Sequence, residues 1–437
     1  MDFLHSLTTG APQAFQLFFA VWRETWFVLV PAVLFYMFHW YWIEYQTGEW
    51  IHNLKWVNLA ITVPPDNEQS PKVMEEFFNA LHAAHSKRNF RDTFWDGSVQ
   101  EWFSLEIVGI DGNVQFIIRT PRHFKDLVEA HLYAQFPTVE IKEVPDYVDA
   151  VPDKFAENGW DLFGAEMVLA TDDFYPIRTY PMFEHQMTQR IIDPIATVAE
   201  VMNKLQEGEQ IWVQFLIRPV LEDWAAKGQE FAKKLMGLET PAPTPKVLEA
   251  LSKAGAVSTS AIIGGAENTE SFEEFPTAAF LMPPNARKVV ENVERNVSKL
   301  AYEFKSRVIY VGRKEKFYKP RFNAIIGAFK QFNTFDMNSF KPYKRTMTRV
   351  EYFIREPRIK ERKRRLLKGY KFRSMVLGAP HKNLTTEALA SVFHIPDITV
   401  KAPRLPRTLA KKGSAPSNLP VGSLEPLPAT PEEESQL

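Results

Sequence analysis

The chain has 437 residues, 45% hydrophobic and 24% charged, the make-up of a globular protein with room for two or three cores. Its 52 basic and 53 acidic residues nearly cancel, which excludes a chain-wide field for nucleic acid. Cysteine is absent, which excludes disulfides and thiolate chemistry and fits a reducing compartment.

The N-terminus departs from that globular pattern. Residues 25–43, TWFVLVPAVLFYMFHWYWI, carry no formal charge when His39 is neutral. As a helix they would span about 28 Å, close to the hydrocarbon thickness of a bilayer. Trp26 stands at one end and Trp40, Tyr41 and Trp42 at the other, as an aromatic belt requires. A single transmembrane helix is therefore predicted over 25–44, with Pro31 tolerable inside it. No basic cluster precedes the run and no small-residue cleavage site follows, so it reads as an anchor rather than a cleaved signal. In the N-terminal segment 1–24, PQAFQLFFAVW at 12–22 would lie at the interface or extend the same helix. The flanking charges set little orientation; the missing cysteines and a basic C-terminal segment favour a cell-membrane protein whose bulk is cytoplasmic.

Residues 54–148 read as one α+β module. KWVNLAITV (55–63) is strand-like, and PKVMEEFFNALHAAH (71–85) has Pro at the start of a helical apolar pattern. EWFSLEIVGI and VQFIIR are strands joined by Asp111-Gly112-Asn113, a hairpin signal. A helix in HFKDLVEAHLYAQF and a strand in VEIKEV complete the order β-α-β-β-α-β, that of a ferredoxin-like split βαβ unit. Its candidate core is Trp56, Ile61, Phe77, Phe78, Leu81, Leu105, Ile107, Phe116, Ile118, Leu127 and Leu132.

A second α+β domain is expected over 158–332. Strands fall at 165–171, 210–219 and SRVIYVGR (306–313), with helices at about 183–205, 223–236 and 285–304. Residues 238–275, rich in Pro, Ala, Gly, Ser and Thr, read as a flexible insertion. Without it the order is roughly strand, helix, strand, helix, strand, and a second ferredoxin-like unit is expected, although no sequence repeat relates the two modules.

A basic, helical segment occupies 333–400. Between 341 and 376, 14 Lys and Arg face 3 Glu, an excess of 11 positive charges. The candidates for polyanion or partner binding are Arg362, Lys363, Arg364, Arg365, Lys368, Lys371 and Arg373, expected as an exposed ridge with Leu366 and Leu367 turned to the body. The competing reading is a helix face neutralised within the fold. After the apolar TEALASVFHIPD (386–397), residues 401–437 form a Pro-rich tail that cannot offset its ordering entropy.

Motifs for chemistry are missing. There is no G-x-x-x-x-G-K-[ST] phosphate loop, no G-x-S-x-G elbow and no H-E-x-x-H. His82 and His85 share a helix face without further ligands, and Asp172-Asp173 and Glu184-His185 suit turns or surfaces better than catalysis. No catalytic residue, cofactor or metal is expected.

Several stretches taken together, WVNLAITVPPDNEQSPKVMEEFFNALHAAH, WFSLEIVGIDGNVQFIIRTP, FYPIRTYPMFE, GEQIWVQFLIRP, IIGAFKQFNTFDMNSFKP and LTTEALASVFHIP, resemble the membrane-anchored region of bacterial conjugation or type IV secretion-like proteins. In that family this region precedes or accompanies an FtsK/HerA-like P-loop ATPase. The resemblance implies an uncharacterised anchored module with its motor supplied in trans, and it carries no catalytic residues. A non-enzymatic scaffold or ATPase-recruiting subunit of a transfer system is the first expectation. A membrane-anchored nucleic-acid adaptor using residues 341–376 is the second, with the lipid bilayer, anionic lipid or nucleic acid as partners; an unrecognised hydrolase is a third.

Overall fold

The computed structural model describes residues 2–62, 69–155, 157–183, 193–220, 223–236 and 283–396, with side chains from Trp22 onward. The expected insertion at 238–275 and tail at 401–437 lie outside the described residues, as do Glu184 and His185.

Helix α1 runs unbroken over Asp2–Asn53, through Pro31. Its Trp22–Asn53 part is long and apolar enough to cross a membrane, and its large apolar side chains from Trp26 to Tyr41 are exposed. At 32 residues this part measures about 48 Å. That exceeds a bilayer core, so its C-terminal turns extend past the uncharged run to meet the folded body.

That body is built on one antiparallel sheet. Its strands are β1 (Trp56–Thr62), β2 (Phe103–Ile110), β3 (Asn113–Pro121), β4 (Glu140–Val144), β5 (Trp160–Leu169), β6 (Glu209–Pro219), β7 (Ala301–Arg313), β8 (Phe340–Pro342) and β9 (Lys382–Thr385). The lateral order is β4-β1-β3-β2-β6-β7-β5-β8, and β9 pairs with the start of β7. The turn between β2 and β3 has Asp111 and Gly112 at positive φ, as the hairpin signal requires.

Among the described residues, the helices after α1 are α2 (Pro71–Leu81), α3 (Phe90–Phe94), α4 (Lys125–Gln135), α5 (Ile195–Asn203), α6 (Asp223–Leu235), α7 (Pro284–Val297), α8 (Pro320–Phe329), α9 (Arg355–Lys371) and α10 (Thr386–Val392). The chain order β1-α2-β2-β3-α4-β4 has lateral order 4-1-3-2. The second half, β5-α5-β6-β7-α8-β8, read from its outer edge, repeats that lateral order. The halves meet where β2 pairs with β6, from Phe103↔Ile217 to Ile110↔Gln210. They are therefore not separate domains: one sheet and one apolar cluster run through both.

Several elements differ from the sequence expectation: the strand expected at 165–171 runs over Trp160–Leu169, and the described helix within the expected 183–205 is Ile195–Asn203. The helix expected over 285–304 ends at Val297, because residues 301–304 belong to β7, where 302–304 pair with β6 and 301–304 with β9. The C-terminal segment is woven into the sheet through β8 and β9 rather than appended to it. Trp56 leaves the main core and lies tilted against Trp102 at 5.2 Å in a small cluster with Ile51 of α1 and Met375.

One face of the sheet is covered by α2, α4, α5, α8 and α10. Phe77, Phe78, Leu81, Leu105, Ile107, Phe116, Ile118 and Leu132 are buried there, and Leu127 packs at the margin. All seven residues of α10 are buried. Phe393, just after it, meets Phe116 at 6.0 Å, and Glu387 is held by Lys299 and Thr179, so the segment locks both halves together. The opposite face carries α9 and a smaller cluster that includes Trp160, Trp212, Ile309, Leu366, Leu367 and Tyr370.

Candidate functional site

The basic segment folds as α9. Glu356 lies in its first turn and Lys368 and Lys371 in its last, each favourable to the helix dipole. Before it, Phe353 (φ 42°) and Ile354 (φ 44°) adopt left-handed backbone, a costly state for bulky and β-branched residues, and both side chains are exposed. Leu366, Leu367 and Tyr370 turn to the sheet, as the sequence pattern indicated for the leucines.

Beneath α9 the sheet carries a row of polar side chains. Glu106 on β2 is opposite Gln214 on β6, Gln214 opposite Arg307 on β7, and Arg307 opposite Glu166 on β5. Arg307 donates to Glu166 Oε1 (3.0 Å), to Gln214 Oε1 (3.0 Å) and to the carbonyls of Ser374 (2.6 Å) and Leu377 (2.8 Å). Gln214 donates to Glu106 (3.1 Å) and to the Tyr370 carbonyl (3.1 Å). At Gly378 (φ 102°) a Cβ would fall 2.2 Å from a Glu166 oxygen, so only glycine lets the backbone pass there.

Arg373 completes this row and is not part of an exposed ridge. It is 2% exposed and sits at positive φ just beyond α9. It grips Glu106 (Nε to Oε1, 3.0 Å; Nη2 to Oε2, 3.2 Å) and Asp146 (Nη1 to Oδ2, 2.6 Å; Nη2 to Oδ1, 2.7 Å). Burial opposes ionisation of Glu106, but the Arg373 charge and hydrogen bonds from Arg373, Ser104 and Tyr147 outweigh it and hold the carboxyl down to about 2. On β7, burial and then the Arg307 charge bring the Lys305 ammonium down to about 8, although it donates to the carbonyls of Met375 (2.9 Å) and Leu377 (2.7 Å).

The other six candidates divide. Lys371 pairs with Asp153 (2.7 Å) and the Val151 carbonyl, and Lys363 pairs with Asp161 (2.5 Å); both brace α9 against the body. Arg362 donates through Nη1 to the carbonyls of Lys344, Met347 and Arg349, fixing the loop before α9. Arg364 and Arg365 are exposed and share Glu361, whose carboxyl their hydrogen bonds hold down to about 2. Lys368 is exposed over the Phe372 ring at 5.8 Å. The expected ridge thus shrinks, because four of its seven charges, Arg362, Lys363, Lys371 and Arg373, are held by carboxylates or carbonyls outside α9 or at its end, while Arg364 and Arg365 share only the exposed Glu361.

What remains open is a cleft of about 570 Å³ beside α9, with Arg345, Arg362, Arg364, Arg365 and Lys368 against Glu361 on its walls and the paired Glu166 and Arg307 also lining it. Arg345 lies in the loop after β8 and is exposed; the sequence reading did not single it out. Guanidinium forks match carboxylate or phosphate oxygens, so the cleft suits an anionic group.

His82 and His85 lie ring to ring at 6.3 Å, and among the described residues no group of three or more His, Asp or Glu is placed to hold a metal. Asp173 fastens β9 by accepting from Lys382 (2.8 Å) and the Asn383 amide (2.8 Å).

The model of a family described as a domain of unknown function, DUF8128, matches residues 46–407. The chain belongs to this family. The DUF8128 region takes in every strand of the sheet, α9 and its cleft, and begins just after the uncharged run of α1. No curated protein matches the chain.

Proposed function

We propose that this DUF8128 protein is a membrane-anchored, non-enzymatic scaffold that presents the cleft beside α9 to an acidic partner. Each half of its sheet is read as a ferredoxin-like unit, the two forming a rigid platform on the end of α1. The observation that carries this reading is the selective neutralisation of α9. Arg373, Lys371 and Lys363 pair with carboxylates from the body of the fold, whereas Arg345, Arg364, Arg365 and Lys368 stay exposed around one cleft. In the context that the sequence resemblance implies, the partner is a P-loop ATPase supplied in trans, on the cytoplasmic side.

The experiment uses the full chain in lipid nanodiscs and an acidic polypeptide or a DNA duplex as probe. A contact through four charges loses roughly a hundredfold in affinity between 50 and 200 mM salt, and changing Arg345, Arg364, Arg365 and Lys368 together to Gln abolishes it. Salt-insensitive binding that survives the substitution overturns the cleft as the docking site. Sequence-independent DNA binding that outcompetes the acidic polypeptide favours the nucleic-acid adaptor instead. Deleting residues 1–45 is expected to release the folded protein from membranes; retention of the folded body shows that another surface also holds it there.

A further inference from the structure

The short helix α3 lies in a loop that sequence reading passed over, and it is fixed to α1. Trp42 donates through Nε1 to the Phe94 carbonyl (2.8 Å), and Gln46 through Nε2 to the Trp95 carbonyl (3.0 Å). Phe94 packs on His39 at 5.4 Å and on Trp42 at 6.4 Å, and Trp95 meets Trp42 edge-on at 6.3 Å. Gly97 (φ 63°) brings the loop so close that a Cβ would lie 2.3 Å from the Gln46 carbonyl carbon. No side chain larger than hydrogen fits between the loop and the helix at that point.

This contact sets a depth. Residues 39–46 are where the uncharged run of α1 ends, so whatever is fastened to them sits at the same level. The outer side of α3 is apolar and open: Phe90 stacks on Phe94 (5.3 Å, 12°) yet is 73% exposed, and Trp95 is 58% exposed. Arg91 and Asp96 are exposed beside them. Aromatic rings with polar and charged neighbours, held at the end of a membrane-spanning helix, match the chemistry of the boundary between headgroups and acyl chains.

We propose that α3 and its flanks, with Phe90 and Trp95 outermost, form a second membrane contact that enters the bilayer interface beside α1 and fixes the tilt of the folded body over the membrane. The proposal rests on α1 spanning the bilayer. Lipid is the occupant because the patch is continuous with the aromatic end of the span and is tied to it by the Trp42 and Gln46 side chains, which donate to its backbone carbonyls.

The chain has no cysteine, so single nitroxide labels can be placed cleanly. Full-length protein in lipid nanodiscs would carry one label at Phe90→Cys, Trp95→Cys, Leu34→Cys in the span, or Phe335→Cys on a fully exposed loop. Relaxation by dissolved oxygen is expected to exceed relaxation by a water-soluble nickel chelate at 34, 90 and 95, with the ratio reversed at 335. Adding Gly97→Ala to the Phe90→Cys chain should move that label toward the values of position 335. Labels at 90 and 95 that match 335, while 34 reports the bilayer, overturn the second contact and leave the anchor intact. A label at 34 that also matches 335 overturns both readings. Spin–spin broadening at 90, lost on dilution with unlabelled chains, assigns the patch to a second copy and overturns the lipid contact.

Discussion

The two faces of the sheet are stabilised by different physics. On one, five helices bury an apolar layer in which Phe116, Phe77, Phe215 and Phe329 pack ring on ring or against aliphatic neighbours. On the other, α9 closes over Glu106, Gln214, Arg307 and Glu166, each at most 1% exposed, with Arg373 and Asp146 at one end. An apolar layer tolerates volume-conserving swaps, because dispersion and burial are not directional. A buried ion row does not, because each charge depends on a named partner. The first face can hold any well-packed set of helices; the second specifies which helix lies there and in what register.

Two substitutions of matched size separate these accounts. Phe116→Ala is expected to lose about 3–5 kcal/mol through the cavity left against Phe393. Arg373→Met is expected to lose a similar about 3–5 kcal/mol by stranding the buried Glu106, while Asp146 keeps its pair with Arg119. Adding Glu106→Leu to Arg373→Met should recover much of the second loss, whereas no single partner change rescues the first. Denaturant midpoints measure both, and an unchanged midpoint for Arg373→Met would show that the ion row does not secure α9.

The pH dependence is smaller and marks the polar face alone. The folded Glu106 carboxyl lies at about 2 against an ordinary 4.5, so its contribution of about 3 kcal/mol is present above 4.5 and lost as pH falls toward 2. Lys305 has the opposite consequence. Its folded value of about 8 lies below the ordinary 10.5, so the unfolded chain binds more protons between the two and stability rises by about 3 kcal/mol from pH 8 to 10.5. Thermal melts of Glu106→Gln and Lys305→Met should lose the acid and alkaline slopes respectively. Slopes identical to the parent chain would remove these groups from the account.

The least stability effect belongs to the outer side of α9. Arg364→Gln or Arg365→Gln should leave the denaturant midpoint essentially unchanged, since both pairs with Glu361 are solvent-exposed and screened. A larger loss would place these residues with the ion row rather than with the open cleft.

Local pattern made much of the first half legible. The Asp111-Gly112 turn, the Pro start of α2 and the alternation of Leu105 and Ile107 identified the strands, helices and inward face. The same alternation places Ser104 and Glu106 on the opposite face, where polar residues ordinarily mean water. They are fully buried, because a helix more than 240 residues further along the chain covers them. The basic run was legible as charge but not as a site: Arg373, Lys371 and Lys363 find partners at Glu106, Asp153 and Asp161, and sequence spacing carries no signal for such pairings. Arg345 escaped notice because it lies outside the dense run and joins the cleft only where its loop passes beside α9.

By itself the sequence determined what short-range physics fixes: a long uncharged helix at the N-terminus, a mixed set of helices and strands, and a hairpin whose turn residues set its own register. The tertiary structure decided what long-range contact fixes. It joined two halves into one sheet through β2 and β6, drew residues 382–392 into the core, turned a wet-looking sheet face into a buried ion row, and chose which basic residues stay open. The physical reason is that hydrophobic period and turn chemistry act over a few residues, whereas strand-edge pairing and the neutralisation of a buried charge depend on groups that meet only after the chain has folded.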